Sequence, residues 1–403
     1  MRVKHPSTLE EIKHFNSDEP ILINEPLVAK PFKAMWVSNV VNIDLPVFDE
    51  IETYQNKIIE MLDVAEDYGL SALFFQVRTT NDAFYTSKLN PYSRYFTGKE
   101  GKKPPFDILP WIIEKTHERG LEFHAWCNPY RISVNGALSE KDYLDTCDAL
   151  NFAKKHPECI LKAKDSKLIL NPARDEVKTL IIDSMVELAQ HYAIDGIHFD
   201  DYFYPYGEID DNQADLKEYA ERTDLYQSLG DFRRDQVTHV IDGVYKALKK
   251  VNPNLRFGVS PFGIWKNKSS DPLGSNTDSK CSETYFHQYA DTRKWITEKM
   301  MDYVVPQIYW PFSHPIAPFA DICDWWADLC QAHGMDLYIG HGAYRLGREN
   351  FGNEDELVNQ VGYAASKKSV KGHVFFTYNT FREPKDAKAG MNKLKVLLQE
   401  CDQ

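Results

Sequence analysis

Eight short apolar runs recur along this chain, each followed by a stretch with helical spacing, and that rhythm limits the available folds more than any other feature. The runs fall at residues 32–39, 72–77, 121–126, 196–199, 255–260, 303–309, 337–340 and 372–377. Ala72-Leu-Phe-Phe-Gln-Val77 is too continuously apolar for a one-sided strand and suits one covered on both faces. Between the runs, Ile51, Ile58, Ile59, Leu62 and Ala65 recur at helical spacing ahead of Gly69, and residues 177–192 and 232–251 read the same way. Strands alternating with helices build parallel βαβ units, and eight such units close into a (β/α)8 TIM barrel. An open doubly wound sheet is the alternative, weakened because no Gly-rich phosphate loop follows the first run. Residues 1–30 are polar and read as an N-terminal arm, and residues 31–403 as the barrel domain. Two long connections, 128–172 after the third strand and 202–231 after the fourth, lie on the C-terminal side, where barrels build their sites.

The formal net charge of −13 argues against nucleic acid or an anionic membrane surface as partner, since both need a basic footprint. No apolar run approaches the roughly 18 residues of a membrane span. The opening Met1-Arg-Val-Lys-His-Pro-Ser-Thr-Leu-Glu lacks the apolar stretch of a secretory signal, so the expected location is the cytoplasm. Seven scattered cysteines without a CxxC pair read as reduced thiols. There is no dinucleotide fingerprint, no serine elbow and no HExxH, and neither cofactor nor metal is expected.

Chemistry collects where the runs end. The fourth reads Asp195-Gly-Ile-His-Phe-Asp-Asp-Tyr-Phe-Tyr-Pro205. Side chains alternate across a strand, so with Ile197 and Phe199 toward the helices, His198 and Asp200 point into the barrel. Asp201 lies just beyond, where the loop can turn it into the same cleft, and Tyr202, Tyr204 and Tyr206 follow. Solvated loop-capping acids are the plain alternative, but an inward His-x-Asp pair is costly to bury without a use. The second strand ends in Arg78, with Asp82 four residues on. Arg78 suits a carboxylate or sugar hydroxyl, or a structural ion pair, and Asp82 a second carboxylate or a turn. The third supplies His124, Trp126, Asn128 and Arg131. The sixth supplies Gln307, Tyr309 and Trp310, the seventh His341, and the eighth Tyr378 and Asn379. Aromatic faces with amide, hydroxyl and imidazole groups are what a sugar ring needs, so these are the candidate substrate-binding residues.

With those residues in place, the chain resembles the glycosyl-hydrolase-like family ten of bacterial barrel proteins. The matching stretches include Met35-Trp-Val-Ser-Asn-Val40, Phe75-Gln-Val-Arg78, Ala125-Trp-Cys-Asn-Pro-Tyr-Arg131, Gly196-Ile-His-Phe-Asp-Asp-Tyr-Phe-Tyr-Pro205, Pro306-Gln-Ile-Tyr-Trp310 and Gly372-His-Val-Phe-Phe376, across about residues 32–385. The resemblance implies a (β/α)8 glycosidase fold and a glycan substrate. Some members look like enzymes that cut peptidoglycan strands stripped of their peptides, and many are exported. Of the family's site, only the acidic pair Asp200 and Asp201 is carried over.

Glycosidases usually need two carboxyl groups. Either Asp200 and Asp82 face each other across the cleft, or the acetamido group of an N-acetylated glycan is the nucleophile and Asp200 and Asp201 divide the remaining work. Adjacent acids suit the second route, and their repulsion raises one pKa toward that of a general acid. The rivals are a non-catalytic carbohydrate-binding barrel and a metal-dependent barrel hydrolase with His124, His198 and Asp200 as ligands.

Overall fold

The apolar runs become eight strands: β1 Phe32–Val37, β2 Ala72–Arg78, β3 Glu122–Cys127, β4 Gly196–Phe199, β5 Arg256–Val259, β6 Tyr303–Val304, β7 Asp336–His341 and β8 Val370–Phe376. In this computed structural model, which describes all residues except 28–29, 207, 210–214, 349–350 and 401–403, each strand pairs in parallel with its chain neighbour. β1 also pairs with β8, so the sheet closes as a barrel without an edge. The helices α1 Ile51–Asp67, α2 Leu109–Glu118, α3 Asp175–His191, α4 Leu229–Val251, α5 Thr292–Thr297, α6 Phe319–His333, α7 Glu356–Ala365 and α8 Lys388–Glu400 alternate with the strands. The fold is the expected (β/α)8 barrel.

Two details differ from the sequence pattern. β6 is shorter than residues 303–309, because Pro306 cannot donate to a ladder, and beyond it only isolated bridges join Gln307 to Phe262 and Gly340. In α1 the buried stripe is Tyr54, Ile58, Met61, Leu62 and Ala65, while Ile51 is exposed at the helix start.

Strand alternation separates two layers of core. Met35, Leu73, Phe75, Ile197 and Phe199 pack outward in the main core cluster, whereas Ala34, Trp36, Phe74, Trp126, Tyr303 and Tyr338 fill the barrel. Large interior rings need small neighbours. A Cβ on Gly196 would stand 2.3 Å from His124 Nδ1, and one on Gly258 2.1 Å from the Tyr303 ring.

The two long connections carry structure of their own. Residues 128–172 hold helices Glu140–Thr146 and Phe152–Lys155 and the hairpin Ile160–Lys162 with Leu168–Leu170. Residues 202–231 include helix Asp215–Ala220, tied to α4 by the buried Asp215–Arg233 pair at 2.6 Å. The N-terminal arm folds back on itself through bridges such as Arg2 with Leu22, and its Val3 and Ile21 join the barrel's core cluster. Among the described residues six cysteines are unpaired, with Cys401 outside that set, and no helix is long and apolar enough to cross a membrane.

Candidate active site

At the C-terminal mouth the strand ends surround a cavity of about 400 Å³. Its walls are largely aromatic, with Trp36, Trp126, Tyr202, Tyr206, Phe262, Tyr309, Trp310 and Phe376 among them. Among the described residues, the carboxylates in this lining are Asp200 and Asp201 alone.

Both acids stand at the end of β4, and their surroundings differ. Asp200 is 3% exposed and is caged by N–H donors. Trp126 Nε1 donates to Oδ2 at 3.0 Å, Asn128 Nδ2 reaches both oxygens at 3.1 and 3.0 Å, and the Tyr202 amide donates at 3.3 Å. Asn128 is fixed in turn by the Arg131 amide, 2.8 Å from its Oδ1. Burial pushes the Asp200 pKa up, while the Arg131 charge and these donors oppose the shift. Asp201 has fewer partners. The Tyr206 hydroxyl donates to its Oδ2. Burial first, and then the charge of Asp200, push its pKa up to about 6 against the pull of Tyr206 and Gln307. Two neighbouring carboxyls in unlike environments are the usual basis for dividing acid and base roles.

Of the substrate-binding candidates, Trp126, Arg131, Gln307, Tyr309 and Trp310 line this cavity. Asn128 sits behind Asp200 as its positioning partner. The others lie elsewhere, each for a definite reason. Arg78 is fully buried and donates to the carbonyls of Asn128 and Pro129 and to Asn81 Oδ1, pinning the third connection. Asp82 accepts from the amides and hydroxyls of Thr79 and Thr80, so it caps its own turn and does not face Asp200. His124 lies deeper in the barrel, between Tyr303 and Glu122. His198 is inward as expected but forms the floor: it bonds Ser260 at 2.9 Å and Trp36 at 3.4 Å and stacks on Phe74. Tyr204 is buried under the fourth connection beside Asp215. His341 faces the helices, because Gly340 takes the inward position of β7, and it stacks on Phe319 and Phe375. Tyr378 is buried, and Asn379 holds the Ile43 carbonyl and Asp44, bracing the rim.

The metal-hydrolase alternative required His124, His198 and Asp200 to converge. Each is committed to different protein partners, and among the described residues no group of His, Cys, Asp and Glu forms a ligand set. Several lining residues were not among the sequence candidates. Trp36 and Phe376 stand on inward positions of β1 and β8, where alternation from Ala34 and Val374 would have placed them. Tyr202 and Tyr206 follow the acids directly in sequence.

Residues 31–357 match the family model described as glycosyl hydrolase-like 10. The chain belongs to that family. This glycosyl hydrolase-like 10 chain is 37% identical over 357 residues to the glycosyl hydrolase YngK of Bacillus subtilis (strain 168), across 86% of the chain and 68% of that protein. It is 32% identical over 384 residues to the glycosyl hydrolase DigH of Escherichia coli (strain K12), across 90% of the chain and 86% of that protein. Among solved structures it resembles the catalytic domain of a β-amylase from Paenibacillus polymyxa, with TM-score 0.56, 12% identity and coverage of 91% and 98% of the two chains. It also resembles the PgaB glycoside hydrolase domain from Bordetella bronchiseptica, with TM-score 0.54, 10% identity and coverage of 92% and 98%. At these identities the structural likeness speaks for the barrel fold.

Proposed function

We propose that this chain is a glycoside hydrolase acting on an N-acetylated glycan of the peptidoglycan type, with the substrate's acetamido group as nucleophile. The observation that carries the reading is the adjacent pair Asp200 and Asp201, the carboxylates among the described residues of an aromatic-walled cavity. A two-carboxylate mechanism needs acids on opposite faces of the sugar, and Asp82 is turned into its own loop. In the substrate-assisted route Asp201, protonated, gives its proton to the glycosidic oxygen as the bond to C1 breaks. The acetamido carbonyl oxygen attacks C1, and the Asp200 carboxylate, whose charge the Trp126 and Asn128 donors support against burial, accepts the acetamido N–H and orients it. Asp201, now a carboxylate, then takes a proton from the water that opens the cyclic intermediate. The names of both relatives, each a glycosyl hydrolase, support the reaction class.

The test is product analysis by mass spectrometry on peptide-free peptidoglycan strands and chitin oligomers, with Asp200→Asn and Asp201→Asn beside the wild type. New reducing ends, lost in both variants, are expected. Aryl glycosides with mono-, di- and trifluoroacetamido groups should react progressively more slowly. A flat series refutes the acetamido nucleophile, and retention of full turnover by both variants refutes the site. Binding without cleavage would return the barrel to a carbohydrate-binding role.

A further inference from the structure

Arg131 stands at the junction of two cavities. The first is the one that holds the acids, and the second has a volume of about 340 Å³. They share Val40, Ile43, Arg131, Tyr202 and Tyr206, so together they make one cleft running out from the acids. Arg131 is only 8% exposed, yet its Nη1 has no hydrogen-bond partner among the described residues. Its backbone is anchored by the amide bond to Asn128 Oδ1 and a bridge to Ile169. Its guanidinium lies over the Tyr202 ring, 4.1 Å from the centroid.

A buried guanidinium with an unused N–H is costly unless something completes it. Asp200 acts on it through space but is already caged by Trp126 and Asn128. Lys167, on the wall of the second cavity, is ion-paired with Asp165 at 2.7 Å and leaves Arg131 as the desolvated cation there. A planar fork, stacked on Tyr202 in the wall that the two cavities share, matches a carboxylate in a way that neutral hydroxyls do not. We propose that Arg131 binds a carboxylate carried by the glycan, making it the residue that selects acidic N-acetylated strands over neutral ones. The proposal rests on the glycan-cleaving reading above. The carboxylate could belong to a lactyl ether, as on muramoyl rings, or to a uronic acid ring.

The experiment compares wild type and Arg131→Ala on four probes: peptide-free muramoyl strands, the same strands methyl-esterified, hyaluronan oligomers and chitin oligomers. Binding to the same probes is measured by calorimetry in the Asp201→Asn background, which separates recognition from turnover. Wild type should favour free-acid over esterified strands. Removing the Arg131 charge beside Asp200 lowers turnover on every probe, but Arg131→Ala should lose on the order of 10²-fold more in kcat/KM on free-acid strands than on esterified or chitin probes, the excess appearing mostly in KM. Arg131→Lys should recover part of the loss. Preference for muramoyl or for hyaluronan strands identifies the source. Equal losses on all probes, with a shifted pH profile, would assign Arg131 to Asp200 alone and overturn the proposal, as would indifference of the wild type to esterification. Arg131-dependent binding of acidic strands without cleavage would sustain it while refuting the glycosidase reading.

Discussion

Replacing Asp201 by asparagine keeps the shape of the side chain and removes its acid. In the folded protein this carboxyl is pushed up to about 6, against roughly 3.9 in an unfolded chain. Two units at about 1.4 kcal/mol each amount to about 3 kcal/mol that the ionised side chain costs the native state. The direction follows from the two values. Below about pH 4 the group is protonated in both states and costs nothing; between 4 and 6 the cost grows, and above 6 it is complete. Asparagine does not ionise, so Asp201→Asn should melt higher than wild type at pH 7.5. With an unfolding entropy of about 2 cal/mol/K per residue over 403 residues, the gain is about 3–4 °C. At pH 4 the two proteins should melt together. Turnover should meanwhile fall by about 10²–10⁴-fold, the usual contribution of a general acid. Scanning calorimetry at both pH values, beside reducing-end kinetics, tests both halves. A variant that melts lower at pH 7.5, or keeps the same gap at pH 4, refutes the strained-acid account; one that retains turnover places the proton donor elsewhere.

Three further outcomes follow from the same geometry. The kcat/KM profile of the wild type should fall as pH rises through about 6, and Tyr206→Phe, which removes the hydroxyl that stabilises the Asp201 carboxylate, should move that limb upward; a downward shift contradicts the assigned bond. Trp126→Phe keeps an aromatic wall but deletes the 3.0 Å bond to Asp200, and a charge-assisted bond of about 1.5–3 kcal/mol predicts roughly 10–100-fold lower kcat without loss of fold by circular dichroism. Asp215→Asn leaves Arg233 buried without its counter-charge and should cost about 3–5 kcal/mol in urea unfolding, far more than the exposed Lys13→Ala control.

The barrel was legible because its signal is repeated: eight apolar runs and their helices agree, and no one boundary decides the outcome. The acids were legible for a local reason. Ile197 and Phe199 fix the outward face of β4, so Asp200 must point inward. Alternation gives the face of a strand but not the depth along the barrel axis. His198 and Asp200 share a face, yet the histidine is floor and the aspartate is cavity wall, one strand step apart. Depth depends on how neighbouring strands are staggered, and that is set by pairings far apart in sequence, such as His198 with Gly258. His124 was placed at the rim by the same gap in the information. His341 failed differently: the bare inward position on its strand belongs to Gly340, which shows no side chain to read.

Arg78 and Arg131 make the remaining difficulty concrete. Both are buried arginines beside the third strand, and the sequence offers both as binding candidates. What separates them is the supply of acceptors. Each leaves one buried nitrogen without a partner among the described residues, Arg78 Nε and Arg131 Nη1, but both Nη groups of Arg78 meet backbone carbonyls or an asparagine oxygen, whereas Arg131 lies on a tyrosine face in the cleft wall. The same contrast divides the acids, since Asp82 takes up the amides and hydroxyls of its own turn while Asp201 meets Tyr206, Gln307 and the cavity. A buried polar group that the fold satisfies is structure, and one that it leaves partly unsatisfied at a cavity wall is held for a ligand. That accounting requires the carbonyls and amides of other segments, which is why the residue types were visible in the sequence and their roles were not.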